Sequence, residues 1–396
     1  MDGVATRKTF AEFFAGIGLV KEALRRSGWR CVYANDIDQK KKQIYDAHFG
    51  ASSHFHLGDV WNTDEVLQTL PNAPFLATAS FPCTDLSLAG HWRGLNGEHS
   101  SAFFGFTRVL EKLGDNKPRA ILLENVSGFL TSREGADFST AVTCLADLGY
   151  WLDAFVIDAK FFVPQSRPRV FIVGIDDGLK RSWLAKRGKM SLFDEAFELG
   201  LNPSPLRPKT LLSLIQTIEL STGWLALDLP VPVEQRSELA SIIDVDDAQD
   251  WWDDGAVEKH YNMMSDLHRE QVDGLLGDGG HHVGTIFRRK RYGKTRAEVR
   301  FDGIAGCLRT PSGGSARQIV IVIDCGKLKL RWMSPREYAR LQGADDYPML
   351  ERVNQMLYGF GDAVCVPVVR WIDDHVLTPA YNSATKRKKR EATVAG

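Results

Sequence analysis

Thr9-Phe10-Ala11-Glu12-Phe13-Phe14-Ala15-Gly16-Ile17-Gly18 is the stretch on which the fold turns. Its apolar, aromatic first half predicts a buried strand over Thr9 to Phe14. Ala15-Gly16-Ile17-Gly18 then forms a turn. A helix follows from Leu19 to Ser27, with Gly28 placed to end it. A strand that runs through glycines into a helix N-terminus lets backbone amides approach a nucleotide-like ligand. The third glycine of the dinucleotide fingerprint is missing, which counts against an NAD-dependent dehydrogenase or a flavoprotein.

Outward from this unit the same rhythm repeats. Arg30 to Ala34 predicts a second strand, ending in Asn35-Asp36-Ile37-Asp38, and a helix follows from Gln39 to His48. Asp36 sits where a carboxylate can accept from ribose hydroxyls, and equally where a solvated turn aspartate would sit. Asp59, in Gly58-Asp59-Val60, is a further strand-end carboxylate, suited to an adenine amino group. The fourth strand, Ala77 to Ser80, is stopped by Pro82, and the next residue is Cys83. A lone cysteine is ordinarily a small buried hydrophobe, and one presented after a strand-ending proline is also a candidate nucleophile. Residues 90–100, rich in Gly, His, Asn and Ser, predict a mobile loop. After a helix from Phe103 to Leu113, the strand Ala120 to Val126 carries Glu124 and Asn125 to the same sheet edge as Cys83. A helix from Phe138 to Leu148, a strand from Leu152 to Asp158 and a strand from Val170 to Ile175 follow. Arg167 and Arg169, two apart on an extended segment, point to one face, where both can reach one ligand or equally form a solvated basic loop. This alternation predicts an α/β fold with a doubly wound, mostly parallel sheet of Rossmann-like type.

The formal net charge of −1 leaves nucleic-acid binding to local segregation of charge. Six cysteines without a CxxC pair argue for a reducing compartment and against a disulfide framework or a zinc site, so no metal is expected. No apolar run reaches membrane-spanning length, which predicts a cytoplasmic protein with no membrane partner. From 176 to 330 the strand–helix rhythm fades. An acidic run at 244–254, without a functional account, precedes a basic run containing Arg288, Arg289, Arg291 and Lys294. With the Gly/Ser-rich segment Thr310 to Gln318, which contains Arg317, this predicts an irregular nucleic-acid-facing domain. Helices resume at Pro335 to Gln342 and Leu350 to Leu357. A helix opening at Tyr358 to Val364 is expected to run to about Val376, before a basic, disordered tail over 381–396.

Together these motifs, in this order, resemble the DNA cytosine-C5 methyltransferases over nearly the whole chain. The resemblance implies S-adenosylmethionine as cofactor, contacted by Phe14, Ala15, Gly16, Ile17, Gly18, Asp36, Ile37, Asp59, Val60, Pro82, Asp362 and Ala363. Cys83 matches the nucleophile, Glu124 the Glu-Asn-Val motif, and Arg167 with Arg169 the two-arginine motif. Double-stranded DNA is the implied partner, contacted by Ser87, Arg288, Arg289, Arg291, Lys294 and Arg317. The domains so implied are 1–175 for catalysis and cofactor, 176–330 for target recognition, and 331–380 as a return segment completing the catalytic domain. A monomer in the prokaryotic cytoplasm, with a cognate restriction endonuclease as a further partner, fits the same resemblance. A tRNA cytosine-C5 methyltransferase and a non-catalytic binding module on this scaffold are the alternatives. Thr84 stands where the family has Gln, and Asp362 where it has Asn.

Overall fold

In the computed structural model, residues 7–71, 73–81, 102–181, 203–225, 227–234, 236–246, 249–311 and 316–385 are described. Pro82, Cys83, Thr84, Ser87, the 90–100 loop and the basic run 386–390 lie outside them. The chain divides into two compact units, one of residues 1–157, 168–232 and 369–396, the other of residues 158–167 and 233–368. Residue 176, expected as a boundary, falls inside the first unit.

The first unit is built on a seven-stranded sheet in the order β3-β2-β1-β4-β5-β7-β6. The strands are β1 (Thr9–Phe13), β2 (Arg30–Asp36), β3 (Phe55–Leu57), β4 (Leu76–Ala79), β5 (Ala120–Val126), β6 (Tyr150–Asp158) and β7 (Pro168–Asp176). β1 pairs in parallel with both β2 and β4, and β2 with β3 and β4 with β5 do the same. Their carboxyl ends therefore share one sheet edge. β7 runs antiparallel to β5, with Arg169 opposite Val126, so the start of β7 reaches that same edge. Strand order reverses between β1 and β4, and open α/β sheets bind ligands in the crevice at such a switch point.

β1 is buried throughout. A core of Phe13, Ala77, Leu123, Phe103, Phe106, Phe129 and Phe138 joins the sheet to helices Ala102–Leu113 and Ala136–Asp147. Two- and four-residue spacing thus fill one continuous core. The chain also returns to this unit at its end. Trp29 Nε1 donates to Asp373 at 2.8 Å, and Tyr381 packs edge-on against Phe75 and Trp29. Residues 381–385, expected within a disordered tail, are helical.

The second unit is not irregular. It carries a four-stranded antiparallel sheet, β11-β10-β8-β9, from β8 (His281–Arg291), β9 (Lys294–Arg300), β10 (Ile319–Asp324) and β11 (Lys327–Trp332). Each hairpin closes with two residues of positive φ, Tyr292-Gly293 and Cys325-Gly326, as a type I′ connection requires. Ile286, Ala297, Ile319, Ile321, Ile323 and Leu330 bury one face together with Met264 and Val272. Alternation in the sequence was obscured because buried Val320 and Val322 fill the opposite face as well. Two residues of the acidic run, Asp244 and Asp253, serve as local scaffolding. Asp244 accepts from Arg340 at 2.8 Å, and Asp253 caps helix Asp254–Asn262 through the Ala256 amide at 2.7 Å.

Near the C-terminus, Val353–Asp362 is one helix, and the next begins at Val366. Asp362 therefore ends a helix, where the sequence suggested the start of one. Gly361 is fixed by contact: a Cβ there would meet the Arg309 carbonyl carbon at 2.7 Å.

Candidate active site

The glycine turn is held in place by the end of β2. Phe14, Gly16 and Gly18 have φ of 55°, 57° and 81°, which turn the chain three times within five residues. The Gly16 amide donates to Asp36 Oδ2 at 2.8 Å, and the Ala15 amide donates to the Asn35 carbonyl at 2.8 Å. Gly18 admits no side chain, because a Cβ would lie 2.6 Å from the Tyr45 and Phe49 rings. Asn35 ties in the next turn as well, its Nδ2 donating to the Gly58 carbonyl at 2.9 Å. Asn35 was not singled out from sequence. An amide directly before a strand-end carboxylate is the signal that marks it.

Asp36 also accepts from the Asp38 amide through Oδ1 at 2.9 Å. A carboxylate offers about four lone-pair sites, so acceptor capacity for a ligand remains. Ile37, next in sequence, is 70% exposed, an apolar side chain available to cover a flat ring. Among the described residues the space beside Gly16 is open, since a Cβ there would meet only Lys41 Cδ, at 4.0 Å. Ile17 and Val60, by contrast, have buried side chains, which leaves their backbone for any ligand. Asp59 is exposed, and its Oδ1 accepts from the Trp61 amide at 3.0 Å. A carboxylate, an exposed apolar residue and an open glycine turn at one sheet edge fit an adenosyl cofactor.

Asp36→Ala is expected to raise the dissociation constant for S-adenosylmethionine about ten- to a hundredfold, and Asp59→Ala less. Asp36 fixes the glycine turn and is expected to accept from two ribose hydroxyls, whereas Asp59 is expected to accept from one adenine amino group. Calorimetric titration of both variants decides it, and equal or unchanged affinities would remove this assignment.

Behind the turn, Glu12 is fully enclosed in β1. Burial pushes its carboxyl up to about 8, although the Val20 and Lys21 amides donate to it and the Lys21 ammonium is near. Its Oε2 has no hydrogen-bond partner among the described residues. A carboxyl raised from 4.5 favours the folded state when protonated, so this contribution is lost as pH rises from about 4.5 through 8. Glu12→Gln is expected to flatten the fall in thermal stability between pH 5 and 9. An identical slope in both proteins would count against it.

On the other side of the switch point, Glu124 and Arg169 meet. Arg169 lies diagonally across from Glu124 on the antiparallel neighbour, and its Nε is 3.0 Å from Glu124 Oε1, both side chains being largely buried. Asn125 faces the opposite way and donates from Nδ2 to the Phe81 carbonyl at 3.2 Å. Phe81 is also packed against Phe103 and Phe129. The residue just before Pro82-Cys83 is thereby anchored. The structure brings Glu124, Arg169, Asn125 and Phe81 together, while Cys83 lies outside the described residues.

Arg167 is enclosed among backbone carbonyls. It belongs to the second unit, is 2% exposed, and donates to the carbonyls of Leu308, Gly361 and Ala363 at 2.9, 3.2 and 2.8 Å. Gln165 is equally enclosed, linking the Leu308 amide to the Leu341 carbonyl. Period-two alternation put both arginines on one face. The chain leaves extended pairing between them, because β7 begins only at Pro168.

The basic run is likewise divided between two faces. Arg288 is half-buried over the Trp332 ring, 4.7 Å from its centroid, and Arg317 lies over the same ring at 5.3 Å. Burial lowers the proton affinity of both guanidinium groups. Arg289, Arg291 and Lys294 are exposed on the opposite face of the hairpin, with Arg296 half-buried beside them. No cluster of metal-ligating side chains occurs among the described residues, and no described helix is long and apolar enough to cross a membrane.

Residues 8–377 match the family described as C-5 cytosine-specific DNA methylase. The chain belongs to the C-5 cytosine-specific DNA methylases. It is 25% identical to the type II methyltransferase M.HpaII of Haemophilus parainfluenzae, covering 94% of this chain and 90% of that one. It is also 25% identical to the type II methyltransferase M.HhaI of Haemophilus parahaemolyticus, covering 94% of both. Among solved structures, S. pombe Dnmt2 methyltransferase shares its fold, with a TM-score of 0.54 at 17% identity over 94% of this chain and 98% of that one. This methylase is therefore a transferase that uses S-adenosylmethionine, as the resemblance of its motifs implied.

Proposed function

We propose that this methylase transfers a methyl group to C5 of a cytosine flipped out of duplex DNA, at a specific sequence, through a covalent Cys83 adduct. The observation that carries this reading is the buried Glu124–Arg169 pair beside Asn125, which anchors the approach to Cys83. Cytosine C5 is a poor nucleophile until a group adds at C6. Addition of the Cys83 thiolate to C6 moves electron density to C5 and N3. Glu124 shares a proton with N3, and Arg169 fixes the Glu124 carboxyl through Oε1 and stabilises charge developing on the ring. S-adenosylmethionine, when bound, supplies an electrophilic sulfonium methyl group. Once C5 has taken that methyl, a base removes the C5 proton, the C6–S bond breaks and Cys83 leaves as thiolate. A stacked cytosine hides C6, so the base must leave the helix first.

Gly16, Asp36, Ile37 and Asp59 would hold the cofactor, and the second unit's cationic hairpin would hold DNA. Arg167 serves as a positioning residue. The type II relatives support a restriction-modification role, in the cytoplasm beside a cognate endonuclease. The test is methyl transfer to duplex DNA and to tRNA in parallel, with bisulfite sequencing of the DNA. Methylcytosine at one recurring duplex sequence is expected. Transfer to tRNA alone would overturn the reading.

A further inference from the structure

β10 pairs with β8 only as far as Ile286. Beyond that, among the described residues, β8 is paired with β9 alone, through Arg288↔Ala297, Arg289↔Arg296, Lys290↔Thr295 and Arg291↔Lys294. Of those eight residues, six are Arg or Lys. At about 3.4 Å per residue, this ribbon is roughly 14 Å long. The major groove of B-DNA, about 12 Å wide and 8.5 Å deep, admits a two-stranded ribbon of this kind. Tyr292 at the tip is fully exposed, so the end of the ribbon is not packed against its own unit.

One residue on the cationic face has the wrong sign for binding a polyanion. Glu298, opposite Phe287, lies 2.9 Å from Arg291 Nε and 3.5 Å from Arg289 Nε. For affinity alone this carboxylate is a cost, because phosphates repel it. Its effect is to fix the orientation of a long side chain through Nε. The two terminal nitrogens of Arg291 then present the planar pair of donors that matches guanine O6 and N7.

We propose that the distal β8–β9 hairpin enters the major groove and that Arg291, oriented by Glu298, reads a guanine in the recognition sequence. This rests on the reading of the protein as a duplex-DNA methylase. Lys294 and Arg296 on the same face make phosphate contacts that carry no sequence information. Arg289 shares the Glu298 carboxylate at the longer distance and lies over the Phe287 ring, 5.2 Å from its centroid, which draws it toward the base of the hairpin.

The experiment applies the full-length protein and its Arg291→Ala, Arg291→Lys, Glu298→Gln and Lys294→Ala variants to a library of random-sequence duplexes with S-adenosylmethionine, followed by bisulfite sequencing. The parent protein is expected to define a motif. Arg291→Ala should relax preference at one G·C position by about five- to a hundredfold. Arg291→Lys should do nearly the same, because an ammonium cannot donate from a planar fork. Glu298→Gln should relax that same position while tightening binding to a scrambled duplex, measured by fluorescence anisotropy. Lys294→Ala should slow every site alike and reduce the salt slope. All three positions lie on a surface hairpin, and circular dichroism confirms the fold of each variant. A motif unchanged in Arg291→Ala and Glu298→Gln overturns the assignment. If the parent leaves no methylcytosine in the library, the duplex-DNA reading itself fails, and this inference with it.

Discussion

Cys83→Ser is expected to reduce methyl transfer to background, a loss of about a thousandfold or more, while cofactor affinity stays near that of the parent. Adduct formation needs an anionic sulfur at C6. A serine hydroxyl is far less acidic than a thiol and supplies almost no anion at neutral pH. The approach to residue 83 should survive the change, since Phe81 is held by the Asn125 amide and by two phenyl rings. Single-turnover transfer to duplex DNA, beside calorimetric titration of S-adenosylmethionine, separates chemistry from binding. A 5-fluorocytosine duplex should trap the parent protein as a covalent complex, because fluorine at C5 cannot leave as a proton does. Substantial turnover by Cys83→Ser, or no trapped complex, would remove Cys83 from the mechanism.

Arg167→Ala should act on stability. The guanidinium is buried and joins the 308 region to the carbonyls of 361 and 363. Its loss leaves those acceptors without a charged donor, at a cost of about 3 kcal/mol or more. Arg167→Lys should recover little of this, since one ammonium cannot span three carbonyls in the geometry of a planar fork. Urea unfolding of both variants gives the stability change. Single-turnover rates of the folded fraction should fall far less than in Cys83→Ser. Unchanged stability with collapsed turnover would mean instead that Arg167 acts on the substrate.

The order of strands and helices in the first unit was legible because a parallel sheet covered on both faces is written as apolar runs ending in glycine, aspartate or proline. Thr9 to Phe13, Ala120 to Val126 and the helix from Gln39 are each signalled locally, by burial period and by strand-end residues. Gly16, Asp36 and Glu124 could be named for the same reason. A strand's carboxyl end is a local property, and the parallel topology then gathers those ends at one edge.

Which residues face each other is a long-range property, and there only the tertiary structure decided. The antiparallel placement of β7 brings Arg169 to Glu124. A break in pairing one residue earlier sends Arg167 into a cage of carbonyls more than a hundred residues away in sequence. The basic run looked like a single surface, yet pleating puts Arg288 over Trp332 and leaves Arg291 beside Glu298. Successive side chains on a strand point to opposite faces, and which face meets solvent depends on partners the local sequence does not contain.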